Sequence, residues 1–439
     1  MKSIQVLPGS GDNFYCENCV RDNTVVRALL KAGEEVVAVP MYLPQVVERV
    51  DAISNAPVFY GGINTYLQQQ SAFFRWTPRW VDRLFDSRFL LRMAARRAGS
   101  VRARGLGELT LSVMKGEDGK QVKELDRLLK FLDGIERPDV VHLSTPLLIG
   151  IGLAIKKRFG TPLVVTMQDE DVWIDAMEEP HRSLCWQAMA EGARNVEAFV
   201  AVSRYFGDVM RERLKIPAER LHVIYTGVDA GDPPAPGRVP DPPVIGYLAR
   251  MAESMGLDLL ATAFLTLKKT ERFKKLRLHL LGGQTADDKP FLERLAKKFS
   301  AEGVAADVKF FEAFDPKSRR EFLDTLSVLS VPAPQGAAYG TYIPEALARG
   351  VPVVQPRVGS YPELVEATGG GVLCEPNDAA DLSRALGELL ADEPRRSELS
   401  RKGRESVVRS FGLDTMARKM IDLYRSLVPA PKVADGSRR

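Results

Sequence analysis

Between Pro332 and Glu363 the chain reads PAPQGAAYGTYIPEALARGVPVVQPRVGSYPE, and several residues of this stretch are of types that hold a diphosphate and a ribose. Gly340 and Thr341 bring bare backbone to a helix N-terminus. The amides of Thr341, Tyr342 and Ile343 can then point at a diphosphate, whose charge the helix dipole favours. Glu345, in the first turn, can accept hydrogen bonds from two ribose hydroxyls. Taken alone, Glu345 reads equally well as a dipole-favoured residue of a capped helix. Arg250 follows an apolar run, Ile245 to Ala249. A guanidinium stays charged and can bind two phosphate oxygens at once. Thr166 to Asp171 reads TMQDED. Gln168 can donate a hydrogen bond but not a proton. Asp169, Glu170 and Asp171 at a strand end facing a crevice are costly without a partner; an ordinary solvated loop and helix cap is the alternative.

A second loop, Pro8 to Asn23, contains Gly9 and Gly11, which let backbone approach a ligand, and Asn18, Arg21 and Asn23, which supply polar contacts. No glycine follows Gly11 at the distance a dinucleotide fingerprint needs, so a nicotinamide cofactor has little support. Cys16 and Cys19 stand in a C-x-x-C spacing just before a helix, where a thiol pKa is lowered. They read as a redox pair, as half a metal site, or as two small thiols packing under the loop. No second pair exists and His142, His181, His222 and His279 are scattered, so no metal site is expected. Tyr60 to Tyr66, with Gly61, Gly62 and Asn64, has the content of a backbone-close loop on an acceptor side or of an ordinary turn.

These residues need elements to position them. At 439 residues the chain is long for one core, and two domains are expected. Short apolar runs at Ile4–Leu7, Val36–Val39, Val140–Leu143, Pro162–Thr166, Ala198–Val202 and Leu221–Tyr225 are mostly separated by helical patterns, the mark of a parallel, doubly wound sheet. Asp229 to Pro243 is too rich in Pro and Gly for helix or central strand, and the alternation restarts at Val244. The expected organisation is a domain over 1–228 with a helical insertion at about 65–130, a linker over 229–243, a second domain over 244–411, a helix over 412–427 crossing back to the first domain, and a disordered tail over 428–439. Two α/β domains of Rossmann type then face a crevice, where open sheets bind ligands.

In order and spacing the stretch from Pro332 to Glu363 resembles the nucleotide-binding signature of family 4 retaining glycosyltransferases. Ile245 to Met251 with Gly256, Leu257 and Asp258 is similar to the first strand and loop of that family's C-terminal domain. Tyr225 to Asp229 and Leu280 to Gly283 add to the likeness. The resemblance covers most of the chain and is strongest from about Ile245 to Pro376. It implies a GT-B fold and metal-independent transfer of a sugar from a nucleoside diphosphate sugar. In such an enzyme Arg250 meets the leaving diphosphate, Gly340 and the Thr341 to Ile343 amides assist it, and Glu345 anchors the ribose.

Three positions depart from the family pattern. Ala337 stands where the family has the first of two glutamates eight residues apart, Met255 where it has a phosphate lysine, and Gln168 where it has a histidine. Weaker neutralisation of the leaving group follows, since leaving-group electrostatics is usually the largest catalytic term. Two rivals therefore stay open: a degenerate protein that binds sugar nucleotides without turnover, and a sugar-nucleotide epimerase, against which the lack of a histidine near the crevice argues.

The formal net charge of +4 is small for this length and predicts no nucleic-acid partner. The N-terminus leaves no room for the apolar core of a signal peptide, and a cytoplasmic protein is expected. Charge is concentrated locally, however: Ser71 to Gly105 holds nine arginines against Asp82 and Asp86, interleaved with Phe, Trp and Leu. Such a segment either lies on an anionic membrane, implying a lipid-linked acceptor, or packs its aromatic face on the first domain.

Overall fold

The computed structural model describes residues 1–9, 17–42, 59–60, 105–232, 240–313 and 315–428. The first domain runs β1 (Lys2–Leu7), α1 (Glu17–Lys31), β2 (Glu35–Pro40), α2 (Gly107–Met114), α3 (Val122–Leu132), β3 (Val140–Leu143), α4 (Ile149–Phe159), β4 (Leu163–Met167), α5 (Glu170–Asp175), α6 (His181–Ala193), β5 (Ala198–Ala201), α7 (Arg204–Leu214) and β6 (Leu221–Val223). The second runs β7 (Val244–Leu248), α8 (Leu257–Lys268), β8 (Arg277–Leu281), α9 (Lys289–Ala301), β9 (Val308–Phe311), α10 (Pro316–Leu323), β10 (Val328–Leu329), α11 (Tyr342–Ala348), β11 (Val353–Pro356), α12 (Tyr361–Thr368), β12 (Gly371–Cys374), α13 (Ala379–Ala391) and α14 (Glu393–Ser410). A last helix, α15 (Leu413–Leu427), closes the chain's described part.

Both sheets are parallel, in the orders β2-β1-β3-β4-β5-β6 and β12-β11-β10-β7-β8-β9. Every residue of β3, β4, β5 and β7 is buried, as expected of strands covered by helices on both faces. The strand order reverses between β1 and β3 in the first sheet and between β7 and β10 in the second. Loops leaving the carboxyl ends of those strands diverge and leave room for a ligand. Their described parts are Pro8–Gly9, Ser144–Thr145, Ala249–Gly256 and Ser330–Thr341.

Helix α15 crosses back and packs on α1. Its Met416, Ala417, Met420, Ile421, Leu423 and Tyr424 join Leu7, Val26 and Leu29 in the core of the first domain. Burying each large apolar side chain stabilises this return by about 1.5–3 kcal/mol. A buried chain of hydrogen bonds fixes its register: Gln5 Nε2 donates to Tyr424 Oη at 3.1 Å, His142 Nδ1 lies 2.5 Å from the same oxygen, and His142 Nε2 lies 2.7 Å from Thr166 Oγ1. Burial pushes the His142 imidazole down to about 3, so it packs as a neutral ring.

The described parts of the linker, 229–232 and 240–243, form neither helix nor strand. Of the expected helical insertion, α2 and α3 lie in the described residues, and α2 packs on α6. The basic aromatic segment from Ser71, apart from Gly105, lies outside the described residues. So do Gly11, Cys16, Asn64 and the end of the tail. Among the described residues no helix is long and apolar enough to cross a membrane.

Candidate active site

Arg250 leaves the end of β7, and its backbone carbonyl accepts a 2.6 Å bond from Tyr247 Oη. Its guanidinium is already held: Nε and Nη2 reach the two carboxylate oxygens of Asp288 at 3.0 and 2.9 Å, and Nη2 also donates to Thr285 Oγ1 at 3.1 Å. Burial works against charge on Asp288. The Arg250 guanidinium and the Thr285 donors outweigh it and hold the carboxyl below its usual value. The side chain of Arg250 remains 41% exposed, so the fork is oriented without being covered. Beyond it the chain turns at Gly256, where φ is +74° and a Cβ would lie 2.0 Å from the Pro332 carbonyl oxygen. Only glycine lets the two loops of the switch point touch. Met255, in the position of the family lysine, is half-buried against the apolar core and brings no cation.

The loop Ala337–Thr341 leads into α11. Gly340 adopts φ +78°, a conformation in which a side chain is strained, with the rings of Tyr342 and Tyr361 packed close beside it. Among the described residues, of the three amides expected to point at an anion, that of Thr341 alone meets one: its N–H donates to Glu17 Oε1 at 2.7 Å. The Ile343 amide instead donates to the Gly340 carbonyl at 3.0 Å, which corrects the expectation for that residue. For Tyr342 the ring is what the structure places, its hydroxyl 2.6 Å from that of Tyr361. Ala338 was not singled out in the sequence, yet its N–H donates to Asp169 Oδ1 at 3.1 Å.

Glu345 does not stand free in the first turn. One carboxylate oxygen is paired with Arg319 of α10, a residue only 5% exposed, while Oε2 is buried with no hydrogen-bond partner among the described residues. Arg319 thus supports the carboxylate from behind.

On the first domain, Asp169 takes the left-handed conformation (φ +62°) at the start of α5 and turns its carboxylate across the seam. Gln168 is 2% exposed. Its Nε2 donates to Asp22 Oδ1 at 3.1 Å, its backbone N–H to Glu170 Oε2 at 2.6 Å, and its Oε1 is buried without a partner among the described residues. Asn18 Nδ2 reaches the Gln168 carbonyl at 3.5 Å, and Arg21 Nη2 reaches Asn18 Oδ1 at 2.5 Å. The structure therefore brings Asn18, Arg21, Gln168 and Asp169 into one polar cluster. Asp171 lies half-buried beside it, and burial raises its carboxyl. Gly9 sits at the end of β1, where its carbonyl lies 3.6 Å from Cys19 Sγ. Among the described residues no group of His, Cys, Asp and Glu is placed to hold a metal ion.

Burial sets the charge states of this cluster. Glu170 accepts from Gln168 N–H and from Thr145 Oγ1 at 3.0 Å, yet loss of solvent pushes its carboxyl up to about 8. Asp22 rises to about 6 for the same reason, against its bond from Gln168.

The crevice floor is closed by direct contacts between the domains. Ser203 Oγ donates to the Ala338 carbonyl at 2.6 Å, and Tyr339 Oη to that of Thr226 at 2.9 Å. Glu363, at the end of the motif stretch, accepts from the first two amides of α7, Arg204 and Tyr205, at 2.9 and 3.0 Å, and from Tyr225 Oη at 2.7 Å. One domain thereby caps a helix of the other. Sequence reading missed Glu17, Asp22, Asp288 and Arg319. Their partners lie 26 to 324 positions away along the chain, too far for any spacing rule to mark.

The model of the family described as glycosyl transferases group 1 matches residues 231–406, and that of glycosyltransferase family 4 matches residues 109–232. A D-inositol 3-phosphate glycosyltransferase of Xylanimonas cellulosilytica is 28% identical over 306 residues, which cover 65% of this chain and 71% of the relative. Three relatives of the same description are matched over less than half of their length, whereas one of Catenulispora acidiphila is 25% identical over 84% of this chain and 91% of the relative. Among solved structures, sucrose-phosphate synthase from Thermosynechococcus elongatus superposes with a TM-score of 0.71 at 18% identity, over 97% of this chain and 99% of the other. HepE of Anabaena, solved in complex with UDP, does so with a TM-score of 0.67 at 16% identity, over 97% and 100%. Two matched models that together take in residues 109–406, and an architecture shared with solved structures, identify this chain as a glycosyltransferase of the GT-B fold that is similar to family 4.

Proposed function

We propose that the chain transfers a sugar, with retention of configuration, from a nucleoside diphosphate sugar held by the second domain to an acceptor held by the first. The observation that carries this reading is the Glu345 carboxylate. One oxygen is braced by Arg319 and the other is buried without a partner among the described residues, just after a loop whose Ala338 and Thr341 amides already hold carboxylates. A ribose supplies the hydroxyls that the free oxygen lacks, and phosphates are anions of the kind these amides accept. That HepE, which shares the fold, is described in complex with UDP supports the same donor class. In this reading Arg250, Gly340 and the loop amides stabilise the departing diphosphate, so that no metal is called for. Gln168 and Asp169 are assigned to the transferred sugar and Gly9 to the donor; Gly11, expected beside Gly9 from the sequence, lies outside the described residues. Asn18 and Asp171 are assigned to the acceptor side, while Arg21, expected there from the sequence, faces the donor loop beside Asp169; Asn64, also expected on the acceptor side, lies outside the described residues. The test is a thermal-shift screen of UDP-, GDP- and ADP-sugars. A ligand at a hundred times its Kd stabilises the folded state by about 2.7 kcal/mol, so at least one sugar nucleotide should raise the melting temperature by several degrees. No shift from any of them, at millimolar concentration, counts against the donor class.

We also infer that the acceptor is lipid-linked and reached from a membrane surface on the cytoplasmic side. The support is the sequence from Ser71 to Gly105, whose arginines recur at four-residue steps among aromatic residues. Each basic residue near an anionic surface contributes on the order of 1 kcal/mol. Flotation with anionic liposomes is expected to carry the protein at low salt, less so as salt screens the arginines, and less again after Arg79, Arg83, Arg92 and Arg96 are replaced by Ala. Equal recovery in the lipid-free fraction at every salt concentration would leave a soluble acceptor.

A further inference from the structure

The seam between the domains holds more carboxylate than cation. Glu17 opens α1 and Arg21 follows four residues later, so both side chains lie on one face of that helix. Glu17 Oε1 takes the Thr341 N–H and Asp169 Oδ1 takes the Ala338 N–H, both in the loop that the proposed function assigns to the donor's phosphates. Two side chains of the first domain thus stand, oxygen first, where phosphate oxygens are expected.

Arg21 is the counterpart. It is 2% exposed, its Nη2 bonds Asn18 Oδ1 and lies 3.9 Å from Asp169 Oδ2, and its Nε and Nη1 are buried with no hydrogen-bond partner among the described residues. A buried guanidinium with idle N–H groups is costly, and that cost falls when an anion with several oxygens arrives. Glu17 is also poorly settled. Burial and the neighbouring Asp169 charge raise its carboxyl, and Arg21 and the Thr341 N–H lower it only in part. A group held at such a position gives it up readily to a stronger anion.

We propose that Glu17 competes with the donor's diphosphate for the Thr341 amide, and that donor binding displaces it and turns the Arg21 guanidinium onto the phosphates as a second cation beside Arg250. The inference rests on the donor site of the proposed function. It also accounts for Met255: the charge that the family lysine brings from the second domain enters here from the first. Glu17 is then a gate on affinity and Arg21 a binding residue, with effects of opposite sign although they share one helix face.

The experiment is calorimetry of the full chain with UDP, GDP and ADP, and with the matching nucleosides as controls. Glu17→Gln is expected to bind the preferred nucleoside diphosphate on the order of tenfold more tightly, since the amide keeps a neutral acceptor while the competing charge is gone. Affinity for the nucleoside should not change. Arg21→Gln is expected to weaken the diphosphate by a similar factor, and Arg21→Lys, which retains the charge should the buried site tolerate no neutral residue, to weaken it less. A folded Glu17→Gln that binds the diphosphate no better than the parent overturns the proposal and leaves the donor site standing. Parent and Glu17→Gln both failing to bind any nucleoside diphosphate would overturn the donor site as well.

Discussion

Glu345→Ala should weaken binding of the preferred sugar nucleotide roughly ten- to hundredfold, and should also cost the folded protein about 3–5 kcal/mol. The two effects have separate origins. Affinity falls because the carboxylate that meets the ribose is gone. Stability falls because Arg319, 5% exposed, is left facing the gap of its ion pair. Glu345→Gln tells them apart. The amide oxygen still faces Arg319, but a neutral acceptor binds hydroxyls less strongly than a carboxylate. It should therefore recover much of the stability while affinity stays low. Calorimetry with the sugar nucleotide and a denaturant midpoint for each variant supply the readings. Glu345→Ala binding every sugar nucleotide as well as the parent would remove Glu345 from the site, whatever happened to its stability.

The parts of this site that were legible in the sequence are those written as short spacing. Gly340, Thr341 and Glu345 lie within six residues, and a loop, a helix start and an acidic first turn follow in a readable order. The alternation of apolar runs and helical patterns gave the two sheets for the same reason, since a parallel strand buried on both faces is a short unbroken apolar run. What the spacing hid was the partner of each charge. Arg250 was legible as a cation but its Asp288 brace was not, and the same holds for Glu345 and Arg319. The TMQDED stretch showed three acids where the structure gives them three fates. Asp169 crosses to the second domain, Glu170 turns inward to Thr145, and Asp171 stays at the surface of the cluster. Such divergence among consecutive residues follows from the left-handed turn at Asp169, which breaks the alternation of a strand without the signal of a glycine.

The inward fate of Glu170 makes its charge readable in the pH dependence of stability. Its carboxyl titrates at about 8 in the folded protein against an ordinary value of 4.5, so between these the folded state holds a proton that the unfolded state has lost. Stability must then fall as pH rises through that window. Asp22, at about 6, acts in the same direction at lower pH, and Glu17 is also raised. The buried His142 acts oppositely: the unfolded chain protonates it below about 6.5 while the folded chain does not, so it favours folding more as pH rises from 3 to 6.5. Above pH 6.5 that term is spent and Glu170 dominates. From pH 6.5 to 9 the parent is expected to lose about 2 kcal/mol through this one group, as a folded value near 8 implies. Glu170→Gln should flatten the profile. Its amide oxygen can take the Gln168 N–H and its NH₂ can donate to Thr145 Oγ1, which reproduces the neutral acid at every pH. Parent and variant should therefore be alike near pH 4.5 and diverge steadily toward pH 9, with the variant the more stable. Denaturant midpoints at four pH values decide it: parallel curves for the two proteins would mean that Glu170 is already ionised in the folded state, with the Gln168 amide and the Thr145 hydroxyl sufficient to hold its charge.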